Sequence, residues 1–295
     1  MPATNSIEDT FVAITDDTYP KLLKEIPNPP KLLYYKGNYN SMNFENCLGI
    51  VGSRKMTEYG REVIKYVLQT LTHRKITVVS GFTFGVDACV HRTCLELDIP
   101  TIGVFPGGLD ICPHSSLCDV YEQLVYSGGL AVSEFACGFQ PRIWSFPRRN
   151  RIVAGLCKAL LVVEAAKDSG SLITSGFSRK FGRKVFAVPG NIFSDTSVGC
   201  NEILSTYAQA MYSNITINRF FEISGGLEKS KDTSKKVRDP IENKIVKLLR
   251  ASRMPIDDIS KILEYDIVTT SKLLTLLTLN GEITEEGGYY YASNH

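Results

Sequence analysis

The sequence predicts an α/β fold with an extended, Rossmann-like, doubly wound and mostly parallel sheet, followed by a small C-terminal winged-helix domain. Short apolar runs that end near glycine alternate with helical patterns through most of the chain. The runs are continuously apolar, as strands are when helices cover both faces of a sheet. The first helical pattern has one buried stripe at the i, i+3, i+4 spacing, formed by Val63, Tyr66, Val67, Thr70 and Leu71.

Predicted strands and helices alternate from Cys47 onwards. Strands are expected at 47–52, 75–81, 101–108, 130–135, 159–166 and 184–190. Helices are expected at 59–72, 87–97, 115–126, 171–181, 201–210 and 215–224. In such sheets ligands bind beyond the carboxyl ends of the strands, where loops lead into helix N-termini. The residues that follow each strand are therefore the first candidates for a site.

The N-terminal region lacks this alternation. Residues 1–47 contain four prolines between positions 20 and 30, which exclude a long helix, and residues 32–35 favour a short strand. We expect an extension that packs on the core rather than a separate domain. The core domain then covers residues 48–224.

The C-terminal region has its own pattern. Residues 225–239 are polar and charged without apolar periodicity, which is typical of a flexible linker. Residues 240–295 predict a winged-helix domain. Its helices are expected at 241–251, 256–263 and 268–279, and its β-wing is expected to turn at Gly287–Gly288.

Composition is that of an ordinary globular protein, with 43% apolar and 22% charged residues. No apolar run reaches the ~20 residues of a membrane helix, and the N-terminus lacks the regions of a signal peptide. We therefore predict a cytoplasmic protein that does not use a membrane. The eight cysteines form no C-x-x-C pair and are accompanied by only four histidines. They are expected to be reduced core residues, and no metal site is predicted.

Charge is distributed unevenly along the chain. The net charge is +2, but residues 140–190 contain ten Lys and Arg against two acids. Residues 240–295 contain six Lys and Arg against eight acids. The first segment is suited to a polyanion, whereas the C-terminal segment is not.

The segment 140–156 combines arginines with aromatic residues between two predicted strands. Guanidinium groups match phosphate oxygens, and aromatic rings stack on bases, so this loop predicts a nucleic-acid site. The alternative is that the aromatic residues anchor a surface loop whose arginines are merely solvated. The candidate residues are Gln140, Arg142, Trp144, Phe146, Arg148, Arg149, Asn150 and Arg151.

Two other strand ends add candidates for phosphate binding. Glycine lets a backbone approach a phosphate closely, while Ser and Thr hydroxyls and helix N–H groups donate to it. The first strand is followed by Gly52, Ser53, Arg54 and Lys55, and the fifth by Ser169, Gly170, Ser171 and, one turn later, Thr174.

Motifs of nucleotide chemistry do not occur in the sequence. The first strand ends G-I-V-G-S-R instead of G-x-G-x-x-G, and there is no G-x-x-x-x-G-K-[ST]. Candidate nucleophiles and histidines are scattered, so neither an enzyme nor a cofactor is predicted. A nucleotide-binding or nucleotide-hydrolysing Rossmann-like protein remains the alternative. Phosphoribohydrolases with a related Rossmann-like fold need the motif P-G-G-x-G-T-x-x-E. In this sequence Pro106–Gly108 are followed by L-D-I-C, so the motif is not complete.

Seven motifs, in order, resemble those of the DNA-processing protein A family, also called DprA or Smf. They are G-I-V-G-S-R-K-M-T-x-Y-G (49–60), V-V-S-G-F-x-x-G-V-D-A-x-x-H (78–91), T-I-G-V-F-P-G-G-L-D-x-x-x-P (101–113), S-E-F (133–135), F-P-R-R-N-R-I-V-A-G-L (146–156), V-V-E-A-A-x-x-S-G-S-L-I-T (162–174) and G-R-K-V-F-A-V-P-G (182–190). The resemblance covers roughly residues 8–212.

This resemblance implies a non-enzymatic protein of bacterial natural transformation. Such a protein binds and protects incoming single-stranded DNA, forms homodimers and loads the RecA recombinase. By matching motif, Arg54, Arg142 and Arg148 to Arg151 would contact phosphates, and Trp144 or Phe146 would contact a base. The chain departs from the family at Thr83–Phe84, where small residues are usual, and at Cys112, where tyrosine is usual.

The predicted winged helix also resembles a module of many family members. Its third helix has one lysine, and its wing carries Glu285 and Glu286. A helix that reads a DNA groove should be basic. We therefore expect this module to serve protein contacts or regulation.

Overall fold

The structure is a computed structural model that describes residues 10–72, 74–112, 114–224, 240–279 and 282–292. The chain divides into two compact units, Met1–Gly226 and Leu227–His295. We refer to them as the larger unit and the C-terminal unit. The predicted linker, 225–239, lies outside the described residues.

A nine-stranded sheet forms the centre of the larger unit. Its strands are β1 (Phe11–Ala13), β2 (Leu32–Gly37), β3 (Cys47–Val51), β4 (Thr77–Ser80), β5 (Thr101–Val104), β6 (Leu130–Ser133), β7 (Ala159–Val162), β8 (Lys184–Ala187) and β9 (Gln209–Ala210). Their order is β1-β2-β6-β5-β4-β3-β7-β8-β9. All neighbours from β6 to β9 are parallel, while β1 and β2 are antiparallel additions at one edge.

Helices cover both faces of this sheet. They are α1 (Lys21–Lys24), α2 (Glu58–Gln69), α3 (Val86–Glu96), α4 (Cys118–Tyr126), α5 (Ser145–Leu156), α6 (Gly170–Lys180), α7 (Val198–Leu204) and α8 (Asn214–Ser224). Separate apolar clusters lie on the two faces, because alternate strand residues point in opposite directions. Strands β3 to β7 are buried at every position, which explains their continuously apolar sequences. The predicted doubly wound, mostly parallel α/β fold is confirmed.

The order of strands reverses between β3 and β7. From β3 the chain adds β4, β5 and β6 on one side, then crosses back to place β7, β8 and β9 on the other. Loops that leave the carboxyl ends of β3 and β7 must therefore diverge, and a crevice opens between them. This switch point fixes where the site lies.

Two local predictions differ from the structure. The segment 140–156, predicted as a loop, contains helix α5 from Ser145 to Leu156. The helix predicted at 201–210 is instead α7, which ends at Leu204, followed by the edge strand β9. Strands β1 and β2 join the sheet itself, a pairing that the pattern of residues 1–47 did not indicate.

The C-terminal unit contains three helices and a small sheet. They are α9 (Pro240–Ala251), β10 (Met254–Pro255), α10 (Ile256–Leu263), α11 (Ile267–Leu279), β11 (Ile283–Glu286) and β12 (Tyr289–Ala292), with strand order β10-β12-β11. The hairpin turns at Gly287 and Gly288, whose φ values of 58° and 81° favour glycine. This element order is the one expected for a winged helix, an assignment that stays a prediction.

Within the described ranges, no helix combines the length and the apolar character needed to cross a membrane.

Candidate functional site

A cavity of about 890 Å³ lies at the switch point between β3 and β7. Eleven of the sixteen predicted site residues line it, namely Gly52, Ser53, Arg54, Lys55, Phe146, Arg149, Asn150, Ser169, Gly170, Ser171 and Thr174. They come from three separate stretches of sequence. The parallel sheet brings these stretches together, because it places all the carboxyl ends at one edge.

The turn after β3 forms one wall of the cavity. The Ser53 hydroxyl accepts a hydrogen bond from the Lys55 N–H at 3.0 Å, and the Ser53 carbonyl accepts one from the Val86 N–H at 3.1 Å. Gly85, just before α3, has φ 72°, and a Cβ there would lie 2.3 Å from the Ser53 carbonyl oxygen. Only glycine allows this approach, which leaves the Arg54 and Lys55 side chains exposed.

The N-terminus of α6 forms the opposite wall. Ser169 caps this helix, since its hydroxyl accepts a hydrogen bond from the Ser171 N–H. Asn150 from α5 donates to the Gly170 carbonyl at 3.3 Å and so ties the two helices together. The positive end of the α6 dipole and nearby hydroxyls therefore face the cavity, an arrangement that favours a phosphate.

Arg149 forms part of the floor rather than an exposed contact. Its side chain is buried, and burial lowers its pKa while the nearby Asp87 carboxylate raises it. Asp87 also accepts hydrogen bonds from Ser80 and Thr83. A Cβ at Gly81 would lie 1.7 Å from Arg149 Nη1, so the missing side chain makes room for the guanidinium.

A buried histidine supports this floor from below. His91 Nε2 lies 2.8 Å from the Gly81 carbonyl oxygen, and Nδ1 lies 2.9 Å from the Thr101 hydroxyl. Burial lowers the pKa of His91. Both ring nitrogens of His91 are therefore engaged in structural contacts.

The lowered pKa of His91 predicts a pH-dependent stability. Below the ordinary pKa of about 6.5 the unfolded state takes up a proton that the folded state resists, so stability falls as the pH drops through this range. In His91→Asn, the slope of the free energy of unfolding against pH should be smaller by up to about 1.4 kcal/mol per pH unit. Urea unfolding measures this free energy at each pH. The check compares both proteins between about pH 7.5 and pH 5.5. Equal slopes would exclude His91 as the source.

Phe146 is the aromatic residue of the cavity. The Arg54 guanidinium lies over its ring, 5.3 Å from the centroid. Ile143, which sequence reasoning missed, also lines the cavity and is 92% exposed. The exposure of the Ile143 side chain marks this residue as part of the rim. The sequence alone does not reveal that exposure.

Trp144 lies outside the cavity lining. It packs edge-on against Phe135 and Phe139, whose rings stack 4.1 Å apart with an interplanar angle of 7°. The Arg148 guanidinium lies 6.0 Å from the Trp144 ring centroid. We call the rings of Phe135, Phe139 and Trp144 the aromatic cluster. Half of the Trp144 surface remains exposed.

Arg148 and Arg151 also lie outside the lining. Arg148 Nε is 3.1 Å from Glu134 Oε1, and Arg151 pairs with Glu134 Oε2. The side chains of Arg151 and Glu134 are only 12% and 6% exposed, whereas Arg148 is 53% exposed. Gln140 and Arg142 are exposed on the approach to α5, and the structure does not bring them to the cavity.

Sequence reasoning missed several charged residues. Glu164 is 2% exposed and accepts a hydrogen bond from the Thr57 N–H at 2.9 Å, which holds the start of α2 beside the β3 turn. Lys167 lines the cavity, and so do the acids Asp87, Asp168 and Asp195. Four cations and three carboxylates therefore face this space, a smaller positive excess than the local sequence suggested.

Comparisons with known proteins agree with this geometry. The family model described as DNA recombination-mediator protein A matches residues 10–222. Protein Smf of Synechocystis is 37% identical over 206 residues, which cover 69% of this chain and 52% of the relative. DNA processing protein DprA of Streptococcus pneumoniae is 37% identical over 210 residues, which cover 71% and 73%. The matched segment thus spans about half of the Smf relative.

Two solved structures are similar to the chain. The Streptococcus pneumoniae DprA structure has a TM-score of 0.68 at 34% identity and covers 72% of this chain and 74% of that one. A Helicobacter pylori DNA processing protein A structure, which concerns its single-stranded-DNA binding mode, has a TM-score of 0.66 at 25% identity and covers 73% and 97%. The sheet, the cavity and the motifs that form its walls all lie within the matched residues. This chain therefore belongs to the DNA recombination-mediator protein A family.

Proposed function

We propose that this protein binds single-stranded DNA at the cavity between β3 and β7 and acts without catalysis as a recombination mediator. The observation that carries the proposal is the convergence of Arg54, Lys55 and the α6 N-terminus around Phe146. Cations and a helix N-terminus can hold backbone phosphates, and a partly exposed ring such as Phe146 can stack on a base of any sequence.

The shape of the site favours a single strand over a duplex. The cavity lies between the β3 turn and α6, whereas recognition of a duplex needs a helix or ribbon that enters a groove. Helix α5, which also lines the cavity, directs Arg149 into the floor. The relative from Helicobacter pylori, whose structure concerns single-stranded-DNA binding, supports the same choice.

The wider role follows from the family. We propose that the protein forms homodimers, protects incoming DNA and loads the RecA recombinase in the cytoplasm during natural transformation. We further propose that the C-terminal unit contributes protein contacts, since Glu285 and Glu286 on its hairpin would repel phosphates.

The decisive experiment is a fluorescence-anisotropy titration with labelled oligothymidine at two salt concentrations, against duplex and mononucleotide competitors. We expect tight, salt-sensitive binding that duplex displaces poorly. If a mononucleotide displaced the labelled oligothymidine at low concentration, that result would favour the alternative, a nucleotide-binding or nucleotide-hydrolysing protein. Absence of binding at low salt would exclude the proposal.

Phe146 and Trp144 should differ in this assay. Phe146 lines the cavity beside Arg54, whereas Trp144 lies in the aromatic cluster. We expect Phe146→Ala to weaken oligothymidine binding by about 1–3 kcal/mol, the usual value for a base stacked on a ring. Trp144→Ala is the matched control, and a larger loss in that variant would place the base on the aromatic cluster instead.

A further inference from the structure

Two partly buried thiols lie together in the loop after β5. Five of the eight cysteines are buried, as the sequence predicted for all of them, but Cys112, Cys118 and Cys137 are not. Cys112 occupies the position where the family usually has tyrosine, and Cys118 is the first residue of α4. These thiols are accessible to small reagents, unlike those of the core.

The geometry brings two of these sulfurs to the same carbonyl oxygen. Cys112 Sγ donates to the His114 carbonyl oxygen at 3.1 Å, and Cys118 Sγ donates to the same oxygen at 3.6 Å. Residues Ser115–Leu117, directly before Cys118, form a single turn of 3₁₀ helix. Both sulfurs approach one oxygen atom and therefore lie near each other, as the formation of a disulfide requires.

A metal site is a less suitable reading of this pair. The His114 Nδ1 atom lies 3.1 Å from the Ser116 hydroxyl and accepts from the Ser116 N–H. Among the residues that the structure describes, no group of three His, Cys, Asp or Glu is arranged to hold a metal ion. The pair is therefore suited to thiol chemistry.

The loop that carries these thiols also contacts the rim of the cavity. The His114 ring packs edge-on against Phe84, with centroids 4.4 Å apart, and the preceding residue Thr83 lines the cavity. Asp110 accepts the Gly138 N–H at 2.9 Å, on the segment that leads to α5. A change in the loop would thus reach the rim of the cavity at Thr83 and the segment that leads to α5.

We propose that Cys112 and Cys118 form a reversible intramolecular disulfide by exchange with a small-molecule disulfide such as oxidised glutathione, and that this bridge weakens single-stranded-DNA binding. The effect on DNA rests on the proposed function, whereas bridge formation does not. The bridge removes both S–H donors from the His114 carbonyl and draws residue 112 towards α4, which shifts His114 against Phe84.

Two steps of thiol–disulfide exchange form the bridge. The Cys118 thiolate attacks one sulfur of the glutathione disulfide, and glutathione thiolate leaves. The Cys112 thiolate then attacks the Cys118 sulfur and releases a second glutathione, so two protein thiols become a disulfide while one glutathione disulfide becomes two thiols. Burial raises the pKa of Cys112 to about 11. The second step should therefore accelerate as the pH rises.

Peptide mapping of the full chain after incubation with oxidised glutathione would detect the bridge. We expect a peptide that links residues 112 and 118, is lighter by two hydrogen atoms, and separates after reduction. Cys118→Ser and Cys112→Ser should not form it, whereas Cys137→Ser, which alters the third partly buried thiol, should. A stable glutathione adduct without the bridge, or a bridge to Cys137, would overturn the inference.

The same samples give the effect on DNA. We expect the oxidised protein to bind oligothymidine about fivefold more weakly, at the lower end of usual coupling between two sites, and reduction to restore affinity. Cys118→Ser should bind equally under both conditions. Equal affinities of the oxidised and reduced wild type would refute the coupling. Failure of the reduced protein to bind would instead count against the proposed function, since the bridge is scored separately.

Discussion

Replacing Arg54 with alanine is expected to weaken oligothymidine binding about tenfold or more and to reduce the slope of log affinity against log salt by about 0.7. Arg54 is exposed at the cavity mouth, and its guanidinium lies over Phe146. In contrast to Arg148 and Arg151, it forms no ion pair among the described residues. Its charge is therefore available to a phosphate without the loss of an ion pair.

Lys75→Ala is the matched control for this variant. Lys75 is also exposed, but it precedes β4 and so lies at the opposite edge of the sheet from the cavity. Both substitutions remove one positive charge, so a long-range effect of net charge would appear in both. Equal losses in the two variants would mean that the cavity is not where the phosphates bind.

The sequence was sufficient to locate the walls of the site. Gly52 to Lys55 and Ser169 to Ser171 are separated by more than a hundred residues, yet both follow strands of one parallel sheet. Once the apolar runs predict such a sheet, the carboxyl ends must share an edge. The convergence therefore follows from topology and does not require knowledge of side-chain contacts.

The helix α5 was not predicted, because its composition obscures its periodicity. The arginines and aromatic residues suggested a loop. Pro147 lies in the first turn of α5, where its missing N–H removes no helical hydrogen bond. The pairing of β2 with β6, which also brings β1 into the sheet, was missed for a different reason. Contacts between distant strands depend on the edge that the rest of the sheet leaves open, which no local pattern specifies.

The missed helix explains why the arginines have different environments. On a helix, Arg148 and Arg151 are three residues apart and share a face, so both reach Glu134. Arg149 is rotated by about 100° from Arg148 and points to the floor beside Asp87. A segment treated as a loop offers no such distinction, and all three residues then appear as equal candidates for phosphate contacts.

This difference leads to the second large prediction. Arg151→Ala should lower the free energy of unfolding of the larger unit by about 3 kcal/mol, because it removes one partner of a buried pair and leaves the Glu134 carboxylate less compensated. Arg148→Ala should cost less than about 1 kcal/mol, since that side chain is half exposed. Urea unfolding followed by the fluorescence of Trp144, the single tryptophan of the chain, reports on this unit.

The two arginines thus separate stability from binding. Both variants lose the same charge from the same helix. Their DNA affinities should be compared without urea, at a temperature at which each variant remains folded. If Arg151 acts through Glu134, Arg151→Ala should be less stable yet bind oligothymidine no more weakly than Arg148→Ala. If instead Arg151→Ala keeps wild-type stability and loses affinity, the guanidinium must leave Glu134 to reach a phosphate. That result would mean that Arg151 belongs to the DNA-binding site.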